Sequence, residues 1–374
     1  MGDAPTYRIA LVSCAMHQPM YAPVFAANPR LEIACVVDEP NEIDDYVVET
    51  NREVAAQYGV PYVESIEAVA KDATVDICSV CPQLERRGRI SARLAEAGKH
   101  LFMDKPNAIS LAEARAIANA ADTHDVRTVI FGRQMATVPQ KIKQELASGA
   151  IGDLVALHWD LIFAKGEAGK VPDEWIARIS RDLTRFTFRA PGCDPSGSGH
   201  NVWAKRELHE IGLYPVGLTQ FLVDAPVRSV YSQLGQYWLA PHAERQVEDF
   251  AVLQMTFANG VTATITTGRY GRQTDPGSGV DKVAVIGTKG TIVADGSPPT
   301  AMTYAPIGDD GRSSTRLDAS DVNGIGPLVS DLVASIDEGR ETVNNATHGV
   351  SQVEVLLAGY ASYCAGEPVQ LPLA

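Results

Sequence analysis

The amino-acid sequence predicts an α/β protein of two domains, in which a parallel sheet is followed by a mostly antiparallel sheet. In about the first third of the chain, short apolar runs alternate with helical patterns, which is typical of βαβ units. After Gly132 the apolar runs follow one another, and Phe257–Val261 (FANGV) places Asn-Gly between two of them, a strong hairpin signal. The length of 374 residues fits two domains, assigned to residues 1–132 and 133–374, with the last helix able to pack back on the first.

The first domain is predicted to alternate strands with helices. The strands are Tyr7–Ser13, Leu31–Asp38, Val60–Val63, Val75–Val80, His100–Met103 and Arg127–Phe131. The helices are a segment that follows the first strand to about Ala27, then Asn41–Tyr58, Leu84–Ala97 and Leu111–Asp122. Strands separated by such helices form a parallel sheet with right-handed connections.

The second domain is predicted to be a sheet with helices packed on it. Its strands are Leu154–Phe163, Val227–Leu239, Asp249–Phe257, Val261–Gly268, Asp281–Ile286 and Thr291–Ala294. Its helices are Pro139–Ser148, which ends in a glycine-containing stop, then Glu207–Val223, Gly326–Asp337 and Gly349–Tyr363.

The composition excludes several classes of partner. The 46 acidic and 32 basic side chains give a formal net charge of −14, which repels nucleic acids and acidic membranes. No apolar run reaches the roughly 18 residues of a membrane span, and no signal peptide is evident. Several of the six cysteines lie in strand-like runs, which suits buried free thiols in a reducing cytoplasm. We therefore expect a cytoplasmic protein.

The turn after the first strand is where a dinucleotide would bind, because a helix N-terminus there meets the pyrophosphate. Such a turn normally reads G-x-G-x-x-G, but here Ser13–Gln18 (SCAMHQ) contains no glycine, so the turn alone predicts no cofactor. Asp38 ends the second strand, where a carboxylate can accept the ribose hydroxyls and disfavour a 2′-phosphate. The alternative is an ordinary loop aspartate that caps the next helix.

Lys105 follows the strand His100–Met103, at the carboxyl edge of the parallel sheet, where ligands bind in open α/β folds. A lysine that is desolvated there can exchange protons near neutral pH. Pro106 restricts the lysine backbone, and a cis bond would fix the direction of its side chain. The alternative is a surface lysine near the start of a helix.

Glu210 and Tyr214 are four residues apart and would share one face of a continuous helix. A tyrosine hydroxyl beside a lysine cation can act as a general acid or base at an alcohol or carbonyl carbon. Pro215 predicts a kink or a helix start nearby. The alternative is a tyrosine that faces the core.

Three other constellations favour structural roles. Cys78 and Cys81 form a C-x-x-C pair without a second ligand pair, which indicates buried thiols rather than a redox or zinc site. We predict no metal, because no ligand spacing typical of a metal site occurs among His158, Asp160, His200, His209 and Glu210. If Asp173–Phe188 is helical, a basic stripe forms that is better explained by solvent or subunit contacts than by carboxylate binding; its members are Arg178, Arg181, Arg185 and Arg189.

Ala97–Arg115 (AGKHLFMDKPNAISLAEAR) resembles the Gfo/Idh/MocA family of oxidoreductases, with aspartate at Asp104 where the family has glutamate before Lys-Pro. Further similar segments are Ala27–Asp38, Ala147–Leu154, Glu210–Leu222 and Val285–Ile292. The resemblance implies a Rossmann dinucleotide-binding domain followed by an α/β domain with a large open sheet that often makes oligomer contacts. We therefore expect a homodimer or a homotetramer.

The resemblance also implies site residues. The catalytic lysine of the family maps to Lys105, and its D-x-G-x-H helix maps to Glu210, Gly212 and Tyr214. The implied cofactor residues are Ser13, Ala15, Met16, His17, Asp38, Cys81, Pro82, Asp104 and Lys105, and the implied substrate residues are His209, Trp203 and Arg133. The chain departs from the family in the glycine-free turn, in Pro82–Arg86 (PQLER, where P-N-x-x-H is usual) and in Trp203–Arg206 (WAKR, usually glycine-rich).

The leading hypothesis is an NAD(P)-dependent dehydrogenase or reductase that acts on a CH-OH group or ketone of a sugar, polyol or sugar acid. Tyr214 would exchange the hydroxyl proton, Lys105 would lower the pKa of Tyr214 and bind the reacting oxygen, and Glu210 would orient substrate or lysine, while NAD carries the hydride. This requires the side chains of Lys105 and Tyr214 to converge on one oxygen. One alternative is a redox-neutral isomerase, lyase or glycoside-cleaving enzyme with retained or no NAD, and another is a non-catalytic sugar or nucleotide sensor.

Overall fold

The computed structural model describes residues 6–164, 207–238, 242–243, 247–270, 279–296, 299–304, 312–316 and 323–373. The chain divides into two compact units. The first unit comprises Met1–Gly132 and Gly324–Val353, and the second comprises Arg133–Asn323 and Glu354–Ala374.

The first unit is built on a parallel sheet. In the part of the unit that is described, its six strands are β1 (Tyr7–Val12), β2 (Leu31–Val37), β3 (Tyr62–Val63), β4 (Ile77–Val80), β5 (His100–Met103) and β6 (Thr128–Ile130), in the order β3-β2-β1-β4-β5-β6. The helices are Gln18–Ala27, Asp45–Tyr58, Ile66–Lys71, Leu84–Glu96, Leu111–Thr123 and Ile325–Glu338, with a 3-10 turn at Pro40–Glu42. Ile9–Val12 of β1 and the whole of β4 are buried, as expected for the central strands of a parallel sheet, so the predicted parallel sheet is confirmed.

The strand order reverses between β1 and β4, since the chain first builds outward through β2 and β3 and then returns to add β4, β5 and β6. Ligands of open α/β sheets bind beyond the carboxyl ends of the strands at such a switch point. Four predicted site residues follow these carboxyl ends directly, namely Ser13, Asp38, Cys81 and Asp104.

The second unit carries a mostly antiparallel sheet. Its nine described strands are β7 (Leu154–Ala164), β8 (Val227–Gly235), β9 (Phe250–Phe257), β10 (Thr262–Tyr270), β11 (Val280–Gly287), β12 (Thr291–Gly296), β13 (Pro299–Tyr304), β14 (Arg312–Arg316) and β15 (Val369–Gln370). The order is β14-β13-β12-β11-β7-β10-β9-β8-β15, and only the β7–β10 pair among these described strands is parallel. The predicted fold class is therefore confirmed. The predicted hairpin joins β9 and β10, and Gly260 in its turn has a φ of 87°.

The helices described in or entering the second unit are Thr137–Ala147, Glu207–Glu210, Leu213–Val223 and Ala346–Ala365. The single helix predicted over Glu207–Val223 is thus wrong, because the helix is interrupted before Leu213. A Cβ at Gly212 would overlap the carbonyl oxygen of Leu208, and Pro215, which lacks an N–H, sits in the first turn of the new helix. No helix in the described ranges is long and apolar enough to cross a bilayer.

Four of the cysteines, Cys14, Cys35, Cys78 and Cys81, are buried free thiols, as expected. Burial raises the pKa of the Cys78 and Cys81 thiols, so neither favours the thiolate that redox chemistry or zinc binding needs. Cys364 differs from this expectation, because it is disulfide-bonded.

Candidate functional site

The turn between β1 and the helix Gln18–Ala27 lies where a dinucleotide turn is expected, and it contains no glycine. Ser13 has a φ of 62°, in the left-handed region that glycine usually occupies. Its N–H donates to the carbonyl of Val37 (2.8 Å), and its hydroxyl accepts the N–H of Ala15 (3.3 Å). The N–H of Cys14 donates to Oδ1 of Asn51 (2.7 Å). Backbone and side-chain hydrogen bonds therefore hold the turn that carries Ala15, Met16 and His17.

Gln18 occupies the third glycine place and is fully buried. Its Oε1 accepts the hydroxyl of Ser79 on β4 (2.9 Å), whereas its Nε2 has no hydrogen-bond partner among the described residues. An unsatisfied buried donor is costly, and a ligand oxygen at the helix N-terminus would satisfy it. This orphaned donor fits a phosphate-bearing cofactor at the turn.

Asp104 is a buried carboxylate at the end of β5 that gathers donors from several elements. It accepts the hydroxyl of Tyr21 (2.7 Å), Nη2 of Arg87 (2.9 Å) and the N–H of Lys105 (2.8 Å), and it pairs with Nδ1 of His17 (3.0 Å). Burial raises the pKa of Asp104, but His17 and Arg87 lower it by more, so the pKa lies well below its ordinary value. Asp104 is therefore an anion near neutral pH that fixes the loop carrying Lys105.

The loop of Lys105 is anchored on both sides. The bond between Lys105 and Pro106 is cis, which is the alternative that the sequence raised. Arg87 donates to the carbonyl oxygens of Pro106 (2.6 Å) and Pro82 (2.9 Å) and so ties the ends of β4 and β5 together. Lys105 is only 4% exposed, which excludes the surface-lysine alternative. Cys81 lies in the same cluster, where its thiol donates to Asp104 (3.4 Å).

Asp38 lies at the end of β2, as predicted, but it is covered by another side chain. Its Oδ1 accepts Nη2 of Arg86 (2.9 Å) and the N–H of Glu39 (2.9 Å), and its Oδ2 accepts Nδ2 of Asn51 (3.1 Å). The carboxylate has no exposed surface. Sequence reasoning missed Arg86, although an arginine stands there where the resembling family has histidine.

Tyr214, in the second unit, is buried in the first turn of the helix Leu213–Val223. The guanidinium carbon of Arg133 lies 5.1 Å from the centre of the Tyr214 ring and 5.4 Å from that of Phe163. Arg133 also donates to Asp281 (3.0 Å), which accepts the indole N–H of Trp159 (3.1 Å). The predicted substrate residue Arg133 therefore holds the Tyr214 ring by a cation–π contact.

A small pocket in the second unit opens beside this cluster. Arg133, Asp281, Trp159 and Leu218 line it, together with Thr137 and Pro139 at the start of the helix Thr137–Ala147. Burial raises the pKa of Asp281, and the opposing effect of Arg133 is smaller. Apolar walls with a few polar groups are typical of sites for small molecules.

The short helix Glu207–Glu210 carries three buried polar side chains. Glu210 and His209 are predicted site residues, and the N–H of His209 donates to the hydroxyl of Tyr360 (3.2 Å). Because the helix is interrupted after Glu210, the shared helical face predicted for Glu210 and Tyr214 does not exist as one continuous surface. Trp203, His200 and the stripe Arg178, Arg181, Arg185 and Arg189 lie outside the described residues.

Sequence reasoning missed Glu207, a buried carboxylate that pairs with two basic side chains. Its Oε1 accepts Nε of Arg269 (2.6 Å) and Nε2 of His242 (3.1 Å). Burial raises the pKa of Glu207, but Arg269 and His242 lower it by a larger amount, so that the pKa is about 2. No local pattern could reveal this cluster, because its partners are distant in sequence.

Two family models match parts of this chain. A family model described as an oxidoreductase family with an NAD-binding Rossmann fold matches residues 7–132, and a GFO/IDH/MocA C-terminal domain matches residues 184–293. The uncharacterized oxidoreductase YrbE of Bacillus subtilis is 24% identical over 253 residues, which cover 66% of this chain and 64% of that protein. Inositol 2-dehydrogenase of Rhizobium meliloti is 21% identical over 329 residues, which cover 83% and 84%.

A solved structure shares the fold over nearly the whole chain. An oxidoreductase from Agrobacterium radiobacter in complex with NAD+, L-tartaric acid and magnesium superposes with a TM-score of 0.76, at 16% identity and over 97% of this chain and 98% of that one. The chain spans less than two thirds of the length of several curated relatives that it matches. From the two family matches, the chain belongs to the Gfo/Idh/MocA family of oxidoreductases, and its N-terminal part is an NAD-binding Rossmann fold.

Proposed function

We propose that this chain is a nicotinamide-nucleotide-dependent dehydrogenase or reductase that acts on a secondary alcohol or ketone of a sugar, polyol or sugar acid. The observation that carries the proposal is the anchored loop of Lys105 at the carboxyl edge of the Rossmann sheet. There the buried Asp104 anion and Arg87 hold a buried lysine in place. A lysine fixed in this way is suited to bind a reacting oxygen.

The residues of the first unit fit NAD. Ser13, Ala15, Met16 and His17 supply the turn, and Gln18 supplies the orphaned donor, so this segment would hold the pyrophosphate. Cys81, Pro82 and Lys105 follow the neighbouring strands, at the edge where the nicotinamide end is expected. When bound, NAD supplies the acceptor or donor of a hydride, which no side chain can provide.

The protein groups manage the hydroxyl proton. Lys105 donates a hydrogen bond to the reacting oxygen, and Tyr214 accepts the proton during oxidation or returns it during reduction. The contact with Arg133 supports this role, since it fixes the ring that carries the hydroxyl. Glu210 orients the substrate, with His209 and Trp203 as further substrate residues.

A sugar-like substrate is supported by two observations. The relative from Rhizobium meliloti is an inositol 2-dehydrogenase, and the pocket of the second unit combines a guanidinium and a carboxylate with an indole wall. Donors and acceptors on an apolar wall match the alternating hydroxyls and C–H faces of a cyclitol or sugar. We also propose that the protein forms a homodimer or a homotetramer and is located in the cytoplasm.

The test is to incubate the protein with NAD+ and each member of a panel of polyols, sugars and sugar acids. The reduction of NAD+ is measured as the increase in NADH absorbance. We expect turnover with at least one member. Tyr214→Phe and Lys105→Ala should each lower kcat by about 10²-fold or more, the usual scale for acid–base groups. Tyr231→Phe, which removes another tyrosine hydroxyl of the second unit, is the matched control and should keep full turnover. Undiminished turnover in both site variants, or no turnover and no NAD+ binding by the wild type, would contradict the proposal.

A further inference from the structure

Arg86 is the side chain that covers the predicted ribose site of the first unit. It lies in the first turn of the helix Leu84–Glu96, and its side chain is only 8% exposed. Besides Asp38, it donates to Oε2 of Glu42 (3.2 Å) and Oε1 of Gln83 (3.2 Å). Asp38 and Glu42 belong to one stretch that runs from the end of β2 into the 3-10 turn, and Gln83 directly precedes the arginine's own helix. The guanidinium is therefore held between two segments of the chain.

The pairing changes what Asp38 can do. An exposed carboxylate at the end of β2 selects NAD because it binds the ribose hydroxyls and repels a 2′-phosphate. Here the carboxylate is fully buried, and Arg86 compensates its charge at 2.9 Å. Asn51 and the backbone N–H of Glu39 also donate to it, so three of its roughly four acceptor positions are used. The usual basis for rejecting a 2′-phosphate is therefore absent.

The charges of this cluster sum to −1, because the three carboxylates of Asp38, Glu39 and Glu42 face the two guanidinium groups of Arg86 and Arg89. Glu39 and Glu42 are 29% and 43% exposed, and both face arginines. Arg89, which is 55% exposed, lies 2.5 Å from Oε2 of Glu42 and 3.7 Å from Oε2 of Glu39. Arginine pairs equally well with a phosphate, often in a bidentate manner, so an incoming phosphate can replace one of these exposed carboxylates.

We propose that Arg86 sets the nucleotide specificity of this chain: it compensates Asp38 and presents a cation near the ribose 2′ position, so that NADP(H) is accepted as well as NAD(H). The inference rests on the proposed function only in requiring a nicotinamide nucleotide to bind the Rossmann unit. Arg86 is thus a specificity-determining residue, and it takes no part in hydride or proton transfer.

The test is titration calorimetry of the whole chain with NAD+ and with NADP+, without any substrate. For the wild type we expect the two Kd values to agree within about tenfold. Arg86→Gln removes the cation and leaves Asp38 uncompensated, so the ratio of Kd for NADP+ to Kd for NAD+ should rise by about threefold or more. Asp38→Asn leaves Arg86 with one carboxylate fewer and should shift the ratio in the opposite direction.

The matched control is Arg93→Gln. It removes the same charge from the same helix, but Arg93 pairs with Glu67 (2.8 Å) and makes no contact with Asp38 in the described structure, so the ratio should not change. The uncovered carboxylate could prevent folding of Arg86→Gln, which a melting curve reveals. In that case the double variant Arg86→Gln with Asp38→Asn decides, because it contains no unpaired buried carboxylate. Compared with Asp38→Asn alone, its ratio of Kd for NADP+ to Kd for NAD+ should rise by about threefold or more.

Two results would overturn the role of Arg86. One is wild-type binding of NADP+ weaker than that of NAD+ by more than about tenfold. The other is a ratio that moves by less than about threefold in the decisive variant. If the wild type binds neither nucleotide, the proposed function itself fails, and this outcome is distinct from an unchanged ratio.

Discussion

Ser13 shows how a single residue can replace the glycine of a dinucleotide turn. A left-handed backbone costs a residue other than glycine or asparagine roughly 1–2 kcal/mol. Here the bend is supported by the hydrogen bond to Val37 and by the hydroxyl of Ser13 itself, which accepts the N–H of Ala15. The sequence could not show this compensation, because a motif search registers only the missing glycine. Ser13 therefore adopts a left-handed backbone at a position where the dinucleotide signature has glycine.

Glu207 is the residue for which pH dependence can be stated with a sign. Its pKa falls from 4.5 to about 2, because Arg269 and His242 outweigh the cost of burial. A lowered pKa in the folded state gives stability that is fully present above pH 4.5 and is lost as the pH falls towards 2. The shift corresponds to roughly 3 kcal/mol.

We therefore expect Glu207→Gln to lower the free energy of unfolding at neutral pH by about 3 kcal/mol, because Arg269 loses its buried anion. The difference from the wild type should shrink steadily between pH 4.5 and 2, as followed by denaturant titration at each pH. Glu67→Gln is the control, since Glu67 forms an exposed pair with Arg93. A difference that stays constant with pH would show that the ion pair is not its source.

The interruption between the helices Glu207–Glu210 and Leu213–Val223 is the element on which the position of Tyr214 depends. Gly212 permits it, because any side chain there would meet the backbone of Leu208. The sequence indicated that the helix is irregular here, since Pro215 predicted a kink or a helix start. The close approach of the Leu208 carbonyl could not be predicted, because it depends on the exact backbone geometry of the turn between the two helices.

We expect Gly212→Ala to lower the free energy of unfolding by about 1–3 kcal/mol, as is usual when atoms are forced into a packed site. Turnover should fall as well, because the first turn that carries Tyr214 must move. The control is Gly326→Ala, where a new Cβ meets no atom within 4 Å and alanine favours the helix. Equal stability of the Gly212→Ala and Gly326→Ala variants in thermal and denaturant melts would refute this account of the interruption.

Whether each of the other helices and strands could be predicted depended largely on how clear its hydrophobic pattern is in the sequence. The Asn-Gly hairpin and most strands with long apolar runs were predicted, although the predicted strand Val227–Leu239 ends at Gly235 and β13 was missed. β14 (RSSTR) was missed because it has no apolar alternation and becomes a strand only by pairing with β13. The helix Ile66–Lys71 was missed because it is short, although Ser65 caps it through the N–H of Ala68.

At the scale of the whole molecule, the alternation of strands and helices was sufficient to place the candidate site. Parallel strands end at one edge of their sheet, so Ser13, Asp38 and Lys105 could be assigned to that edge from their positions after strands. What could not be predicted were partners that are far apart in sequence, such as Arg86 on Asp38 and Arg87 on Asp104. These contacts depend on the packing of side chains rather than on any local pattern.

The central claim is that a hydride passes between substrate carbon and nicotinamide, and the most direct measurement is the fate of a carbon-bound deuterium. A substrate found in the panel is labelled with deuterium at the reacting CH-OH carbon and incubated with the protein and NAD+. The mass of the NADH that forms is then measured by mass spectrometry. We expect one deuterium in each NADH formed. Product that forms while the label stays on carbon or passes to water would contradict it, because it would indicate redox-neutral proton chemistry.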